Sequence, residues 1–242
     1  SSIMALTFTN KAAKEMKERI ATIVGRDKAR RLWMGTFHSI FARILRDNAG
    51  LLGFPKAFTI YDASDASNAI KACIRELQLD DKIYKPGEVL SRISTAKNYL
   101  VTASDYMNNH EAIRKDTQMR KGRICDVYKL YAEKCKAEGV MDFDDILLYT
   151  NILLNKHPEV AESLRSVISH ILVDEYQDTN MAQYRIVRIL AARSHNITVV
   201  GDDSQSIYAF RGARIQNILN FKRDYPEARE FRLEQNYRST QT

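Results

Sequence analysis

The stretch Ile168-Ser169-His170-Ile171-Leu172-Val173-Asp174-Glu175 decides the fold of this chain. A short apolar run that ends in polar residues is typical of a strand that a parallel sheet buries on both faces. Apolar side chains at helical spacing follow over residues 184–190, and a second apolar run, Ile197-Thr198-Val199-Val200, ends in Gly201-Asp202-Asp203. Strand, helix and strand in this order predict a βαβ unit.

Further apolar runs extend the predicted sheet. Ile3–Phe8 leads into Thr9, a predicted helix N-cap, and apolar residues then share one helix face from Ala13 to Val24. Leu32–Phe37 is a weaker strand prediction, and Glu230–Leu233 is a possible fifth strand. These runs indicate a sheet of at least four strands with helices packed against it.

The middle of the chain has a different pattern. From Ser64 to Gly139, apolar residues recur at helical spacing, and no strand pattern interrupts them. We therefore predict an α/β fold in which a parallel sheet is flanked by helices and carries an inserted all-helical subdomain. The predicted division assigns residues 1–60 and 141–242 to the sheet domain and residues 61–140 to the insertion.

Composition narrows the class of protein. The chain has 242 residues, 45% of them apolar, but no long uncharged apolar run and no basic N-terminal segment, so we expect neither a membrane span nor a signal peptide. Three scattered cysteines are too few for a disulfide framework or a zinc site and favour a reducing cytosol. Residues 1–50 hold ten Lys and Arg against four Asp and Glu. This basic block suits either a phosphate-backbone partner or a solvated helix face.

Two adjacent acids, Asp174 and Glu175, follow the deciding strand. One can hold a hydrated divalent cation while the other accepts a proton from an attacking water. The alternative is a pair of turn acids that cap the next helix. Gln205, after the second strand, favours the catalytic interpretation, because an amide can donate to a phosphate oxygen and orient a water.

Ligands of open α/β sheets bind beyond the carboxyl ends of the strands. The polar residues that the sequence brings to this edge are Asn10, His38, Asp174, Glu175, Asp202 and Gln205.

Aromatic residues beside polar ones indicate where unpaired bases can stack. Tyr208 and Phe210 precede Arg211, and the same interpretation applies to Phe8 and Phe143, although single aromatics are more often core residues.

Other residues give weaker signals. His38 can contact a nucleic-acid phosphate, and the pair Tyr237-Arg238 can stack on a purine and reach a terminal phosphate. The acids of residues 142–145 are explained more simply by the first turn of a helix than by a metal site.

Several motifs occur together and in order along nearly the whole chain. They resemble those of superfamily 1 DNA helicases of the UvrD/Rep/PcrA type: Thr7-Phe8-Thr9-Asn10-Lys11-Ala12-Ala13, Gly35-Thr36-Phe37-His38-Ser39, Asp142-Phe143-Asp144-Asp145, Asp174-Glu175-Tyr176-Gln177-Asp178-Thr179, Gly201-Asp202-Asp203-Ser204-Gln205-Ser206-Ile207-Tyr208 and Asn236-Tyr237-Arg238-Ser239.

The resemblance implies a RecA-like motor domain that uses ATP and Mg²⁺ to move 3′ to 5′ on single-stranded DNA and at duplex junctions. It implies that Asp174 holds Mg²⁺, that Glu175 activates water, and that Gln205 senses the γ-phosphate. It also implies that Arg238 contacts that phosphate and that Tyr237 stacks on adenine. The residues that it assigns to the DNA track are Phe8, Thr9, Asn10, His38, Phe143, Tyr208, Phe210 and Arg211.

One family element is missing from these 242 residues: no glycine is followed by lysine, so there is no phosphate-binding loop of the G-x-x-x-x-G-K-[ST] type. We therefore expect a fragment of a longer helicase that does not hydrolyse ATP by itself. The alternatives are a non-catalytic DNA-binding or regulatory module and the motor of a helicase–nuclease.

Overall fold

The computed structural model describes residues 2–202 and 216–232. Within these residues, six strands form two parallel sheets, with the bounds β1 (Ile3–Thr7), β2 (Trp33–Thr36), β3 (Thr59–Tyr61), β4 (Val140–Asp142), β5 (His170–Val173) and β6 (Ile197–Val199). The larger sheet has the order β2-β1-β5-β6, and the smaller one pairs β3 with β4. The predicted parallel sheet is confirmed.

Helices account for most of the remaining described chain. Those that precede β3 are α1 (Asn10–Val24), α2 (Arg26–Arg30) and α3 (Phe37–Asn48). Those between β3 and β4 are α4 (Ala63–Glu76), α5 (Pro86–Asn98), α6 (Ala103–Met107), α7 (His110–Gln118) and α8 (Ile124–Glu138). Those after β4 are α9 (Phe143–Lys156), α10 (Pro158–Val167), α11 (Met181–Ala191), α12 (Gln216–Leu219) and α13 (Phe221–Asp224).

The larger sheet is buried on both faces at β1, as the apolar run of that strand predicts. Met4 and Leu6 of β1 enter a core that includes residues of α3, α9 and α11. Ala5, between them, points to the opposite face and packs with residues of α1 and α2. Burial on both faces explains why β1 is continuously apolar instead of alternating apolar and polar residues.

Helix α1 begins where the sequence predicts. The Thr9 hydroxyl accepts a hydrogen bond from the Ala12 amide at 3.1 Å, and Gly25 ends the helix with a φ of 87°. Val24, the last apolar residue of the predicted helix face, is exposed. A helix of 15 residues is about 22 Å long, whereas a strand of five residues spans about 17 Å, so the last turn extends past the sheet.

The possible fifth strand at Glu230–Leu233 is wrong over residues 230–232, which form no strand. Phe231 is 83% exposed, so this stretch has no buried face against which a strand could pack. Leu233 lies outside the described residues.

Helices α4–α8 surround a core of their own. Its fully buried members include Ile70 of α4, Ile93 of α5 and Tyr131 of α8. Strands β3 and β4 pair at the two ends of the α4–α8 stretch, with Thr59 beside Val140 and Tyr61 beside Asp142. Three-residue strands are too short to show a period, so the sequence did not reveal them.

The exact division into residues 1–60, 61–140 and 141–242 stays a prediction. In the described part of the chain, no helix combines the length and apolar character that crossing a membrane requires.

Candidate functional site

The carboxyl ends of the four parallel strands meet at one edge of the larger sheet. The register places Leu6 of β1 beside Val173 of β5, and Val173 beside Val199 of β6. The segments that leave this edge contain predicted site residues, namely Phe8, Thr9, Asn10, His38, Asp174 and Glu175. This topology therefore gathers residues that are far apart in sequence.

The acidic pair follows β5 in a constrained turn. The Asp174 amide continues the sheet by donating to the Leu6 carbonyl at 3.0 Å. Glu175 has a φ of 51°, in the left-handed region that residues with a Cβ seldom adopt, and its amide donates to the Asp174 carboxylate at 3.0 Å. The turn directs two neighbouring carboxylates to the sheet edge instead of continuing the strand.

These two carboxylates have no cationic partner among the described residues. Asp174 is exposed as a residue, but partial desolvation of its carboxylate, followed by repulsion from Glu175, raises the pKa of Asp174. A divalent cation would relieve both effects, so the pair fits a Mg²⁺ ion that takes most of its other ligands from water and phosphate. No group of three or more metal-binding side chains occurs in residues 2–202 and 216–232.

Gln177 joins the acidic turn to the loop that follows β6, a contact that the sequence did not predict. Its side-chain amide donates to the Glu175 carboxylate at 2.7 Å, and its oxygen accepts from the Asp202 amide at 3.1 Å. Gly201 makes this approach possible, because a Cβ there would lie 2.5 Å from the Gln177 oxygen. The two strand ends are thus held at a fixed distance.

His38 and Phe143 form an aromatic pair near the same edge. Their ring centroids are 5.5 Å apart with an interplanar angle of 77°, and Phe143 is 52% exposed. Burial lowers the pKa of His38, although a hydrogen bond to the Phe143 backbone partly opposes the shift. The imidazole is therefore neutral at pH 7 and offers a ring and a hydrogen bond rather than a charge.

The three residues after β1, Phe8 to Asn10, lie partly in the core and partly at the surface. Phe8 is half-buried, with its ring centroid 5.3 Å from that of the buried Phe37. Thr9 caps α1, and Asn10 is exposed. Asn10 is therefore open to a ligand, whereas Phe8 presents only part of its ring.

Comparison of the sequence with known protein families gives the same family as the motifs at this sheet edge. The family described as the UvrD/REP helicase N-terminal domain matches residues 1–226. The chain belongs to the UvrD/REP helicase family. This finding confirms the resemblance on which the motif interpretation depends.

Curated relatives in this helicase family are similar over the whole chain. The chain is 45% identical over 241 residues to the ATP-dependent DNA helicase PcrA of Staphylococcus aureus (strain Mu50), covering 100% of this chain and 32% of that protein. It is also 45% identical over 239 residues to the ATP-dependent DNA helicase PcrA of Leuconostoc citreum, covering 99% of this chain and 31% of that protein. The chain thus spans about a third of the length of these relatives.

The acids of residues 142–145 stabilise a helix start in this helicase-family chain. Asp142 caps α9, and a reciprocal pair of hydrogen bonds links it to Asp145, as the helix interpretation of these acids predicts. The sequence did not reveal that Lys97 of α5, 2% exposed, lies 2.7 Å from both carboxylates, or that the Tyr131 hydroxyl donates to Asp142 at 2.9 Å. The signal available was a lysine placed on the apolar face of α5, four residues after the buried Ile93.

Six predicted site residues of the UvrD/REP motifs lie outside the described residues, and their roles stay predictions: Gln205, Tyr208, Phe210, Arg211, Tyr237 and Arg238.

Proposed function

We propose that this chain is part of the motor of an ATP-dependent DNA helicase that moves 3′ to 5′ along single-stranded DNA. The observation that carries the proposal is one sheet edge that bears the uncompensated Asp174-Glu175 pair and, near it, the exposed ring of Phe143 against His38. Nucleotide chemistry and strand binding can be coupled when their sites share one rigid element. Names of the PcrA relatives support the same activity.

In this proposal, the acidic pair has two roles. Asp174 would hold Mg²⁺, which supplies charge neutralisation at the phosphates when it is bound. Glu175 would accept the proton of the attacking water, and Gln177 would keep the carboxylate oriented by its hydrogen bond at 2.7 Å. By motif position, Gln205 and Arg238 would contact the γ-phosphate and Tyr237 would stack on adenine.

The DNA track would combine rings with polar contacts. His38 and Phe143 supply a ring pair in the described structure, and Asn10 and Thr9 lie after the neighbouring strand. By motif position, Phe8, Tyr208, Phe210 and Arg211 would complete the track. Stacking tolerates any base, which is what a translocating enzyme requires. We propose single-stranded DNA and its junctions with duplex as the partners.

The 242 residues contain no glycine followed by lysine, so we propose that this chain does not hydrolyse ATP on its own. The same observation favours a second candidate function, a DNA-binding or regulatory module without catalysis. An uncompensated acidic pair is of no use to such a module, which is why we prefer the motor.

Binding of labelled oligo-dT, followed by fluorescence anisotropy, tests the proposal on the chain itself. Phe143→Ala is expected to weaken binding by about 1–3 kcal/mol, because the exposed ring loses its stacked base. Phe231→Ala, which removes an even more exposed ring from residues 230–232, is the control and is expected to bind as the unaltered chain does.

Equal affinities for the Phe143 variant and the unaltered chain would contradict the proposed track. Release of phosphate from ATP by the unaltered chain would contradict the proposal that it is inactive alone.

A further inference from the structure

A buried asparagine of the helical insertion connects two parts of the sheet domain. Asn98, the last residue of α5, is 8% exposed. Its side-chain nitrogen donates to the Asp144 carboxylate at 3.0 Å and to the Ser94 carbonyl at 2.9 Å, and its oxygen accepts from the Asn180 side chain at 2.5 Å. Both of its hydrogens and its oxygen are therefore in use.

The two distant partners belong to different functional segments. Asn180 is the N-cap of α11 and ends the segment that begins with the acidic pair. Its oxygen accepts from the Gln183 amide at 2.9 Å, so the same side chain that reaches Asn98 also holds the first turn of α11. Asp144 is next to Phe143, the exposed ring of the pair with His38.

Because these side chains are buried, it is costly to break one hydrogen bond of the connection while the other remains. Asn98 and Asn180 are both nearly inaccessible to water, and a buried amide that loses a partner is destabilised by about 1–3 kcal/mol. A displacement of Asp144 or of Asn180 is therefore expected to move the other residue through Asn98, because breaking either hydrogen bond is costly. Buried networks of this kind have few alternative arrangements.

We propose that Asn98 is a positioning residue. It couples the sheet edge that carries the Asp174-Glu175 pair to the aromatic pair of His38 and Phe143, the proposed DNA contact. When DNA fixes Phe143, Asp144 is fixed with it, Asn98 holds its place, and Asn180 and the first turn of α11 become more rigid. A change in the acidic segment would pass in the opposite direction by the same contacts, because coupling between two sites is reciprocal. This inference rests on the proposed function.

Hydrogen–deuterium exchange of the chain with saturating oligo-dT tests the coupling. In the unaltered chain, DNA is expected to slow exchange over residues 181–184 by roughly fivefold or more. Asn98→Ala is expected to abolish that DNA-dependent slowing. Asn180→Ser is expected to do the same while α11 stays capped, because serine is also a good N-cap but cannot reach Asn98 with an amide.

The matched control is Asn108→Ala. The Asn108 side chain donates to the carbonyl of Ser104, four residues earlier, at 3.0 Å, just as Asn98 does within α5, but among the described residues it makes no hydrogen bond to α9 or α11. This variant is expected to keep the DNA-dependent slowing. A purely structural role of Asn98 would lower stability and raise exchange with and without DNA, but it would leave the response to DNA in place.

Three results would overturn the inference. Slowing that persists in both Asn98→Ala and Asn180→Ser removes Asn98 from the coupling. An unaltered chain that binds oligo-dT without any response over residues 181–184 removes the coupling and leaves the proposed function intact. An unaltered chain that does not bind oligo-dT contradicts the proposed function and the coupling together.

Discussion

Asp145 shows how a single buried carboxyl makes the stability of the whole protein depend on pH. Desolvation, followed by repulsion from Asp142, raises the pKa of Asp145 to about 7 from an ordinary value of 3.8. Between these two values the folded protein keeps a proton that the unfolded chain has released, so the contribution of Asp145 to stability is largest below the lower value and falls as pH rises toward 7. Asp142, whose pKa the Lys97 ammonium holds below its usual value, acts outside this window.

Asp145→Asn is therefore expected to flatten the fall in the free energy of unfolding between pH 4 and pH 7. The difference in slope approaches about 1.4 kcal/mol per pH unit, the value for one proton. Urea denaturation at several pH values, followed by the fluorescence of Trp33, measures it. Identical slopes for the two proteins would mean that Asp145 does not hold the proton.

At the scale of elements, the close approach of the loop after β6 to the acidic turn gives a sharp steric prediction. Gly201→Ala places a Cβ 2.7 Å from the Ile218 side chain and 3.3 Å from the Tyr176 amide, as well as against Gln177. We expect a destabilisation of about 1–3 kcal/mol, because backbone and packed groups must move. Gly87→Ala is the control: its Cβ meets nothing within 4 Å in α5, and thermal unfolding should show no loss.

The strands and the acidic pair also illustrate which features could be predicted from the sequence and which could not. Strands β1 and β5 were predicted because both faces of the sheet are covered there, which leaves long apolar runs in the sequence. β6 was predicted from a similar run, although its Thr198 is exposed. The acidic pair was predicted because it directly follows such a run. Gln177 and Lys97 were not, because their partners lie in other elements and a contact across the fold leaves no local pattern.

At the scale of the whole molecule, the ion cluster around Lys97 connects the helical insertion to the sheet domain. Its ammonium comes from α5, the Tyr131 hydroxyl from α8, and the two carboxylates from the start of α9. A buried cluster that loses its cation leaves uncompensated charge, which typically costs about 3–5 kcal/mol. The junction between the two cores is thus where one substitution changes cooperativity as well as stability.

Lys97→Met is accordingly expected to separate the unfolding of the two cores. Trp33, the one tryptophan of the chain, lies in β2 and reports on the sheet domain, whereas far-ultraviolet circular dichroism also reports on α4–α8. In urea, the two signals should coincide for the unaltered chain and diverge for the variant, because the insertion loses the ion pairs of Lys97 with Asp142 and Asp145. Lys85→Met is the control. It removes an exposed lysine that pairs with Glu88 at the start of α5, and the two unfolding signals should stay coincident. Coincident transitions for Lys97→Met at a lower midpoint would show that the apolar contacts of α5 alone keep the two cores cooperative.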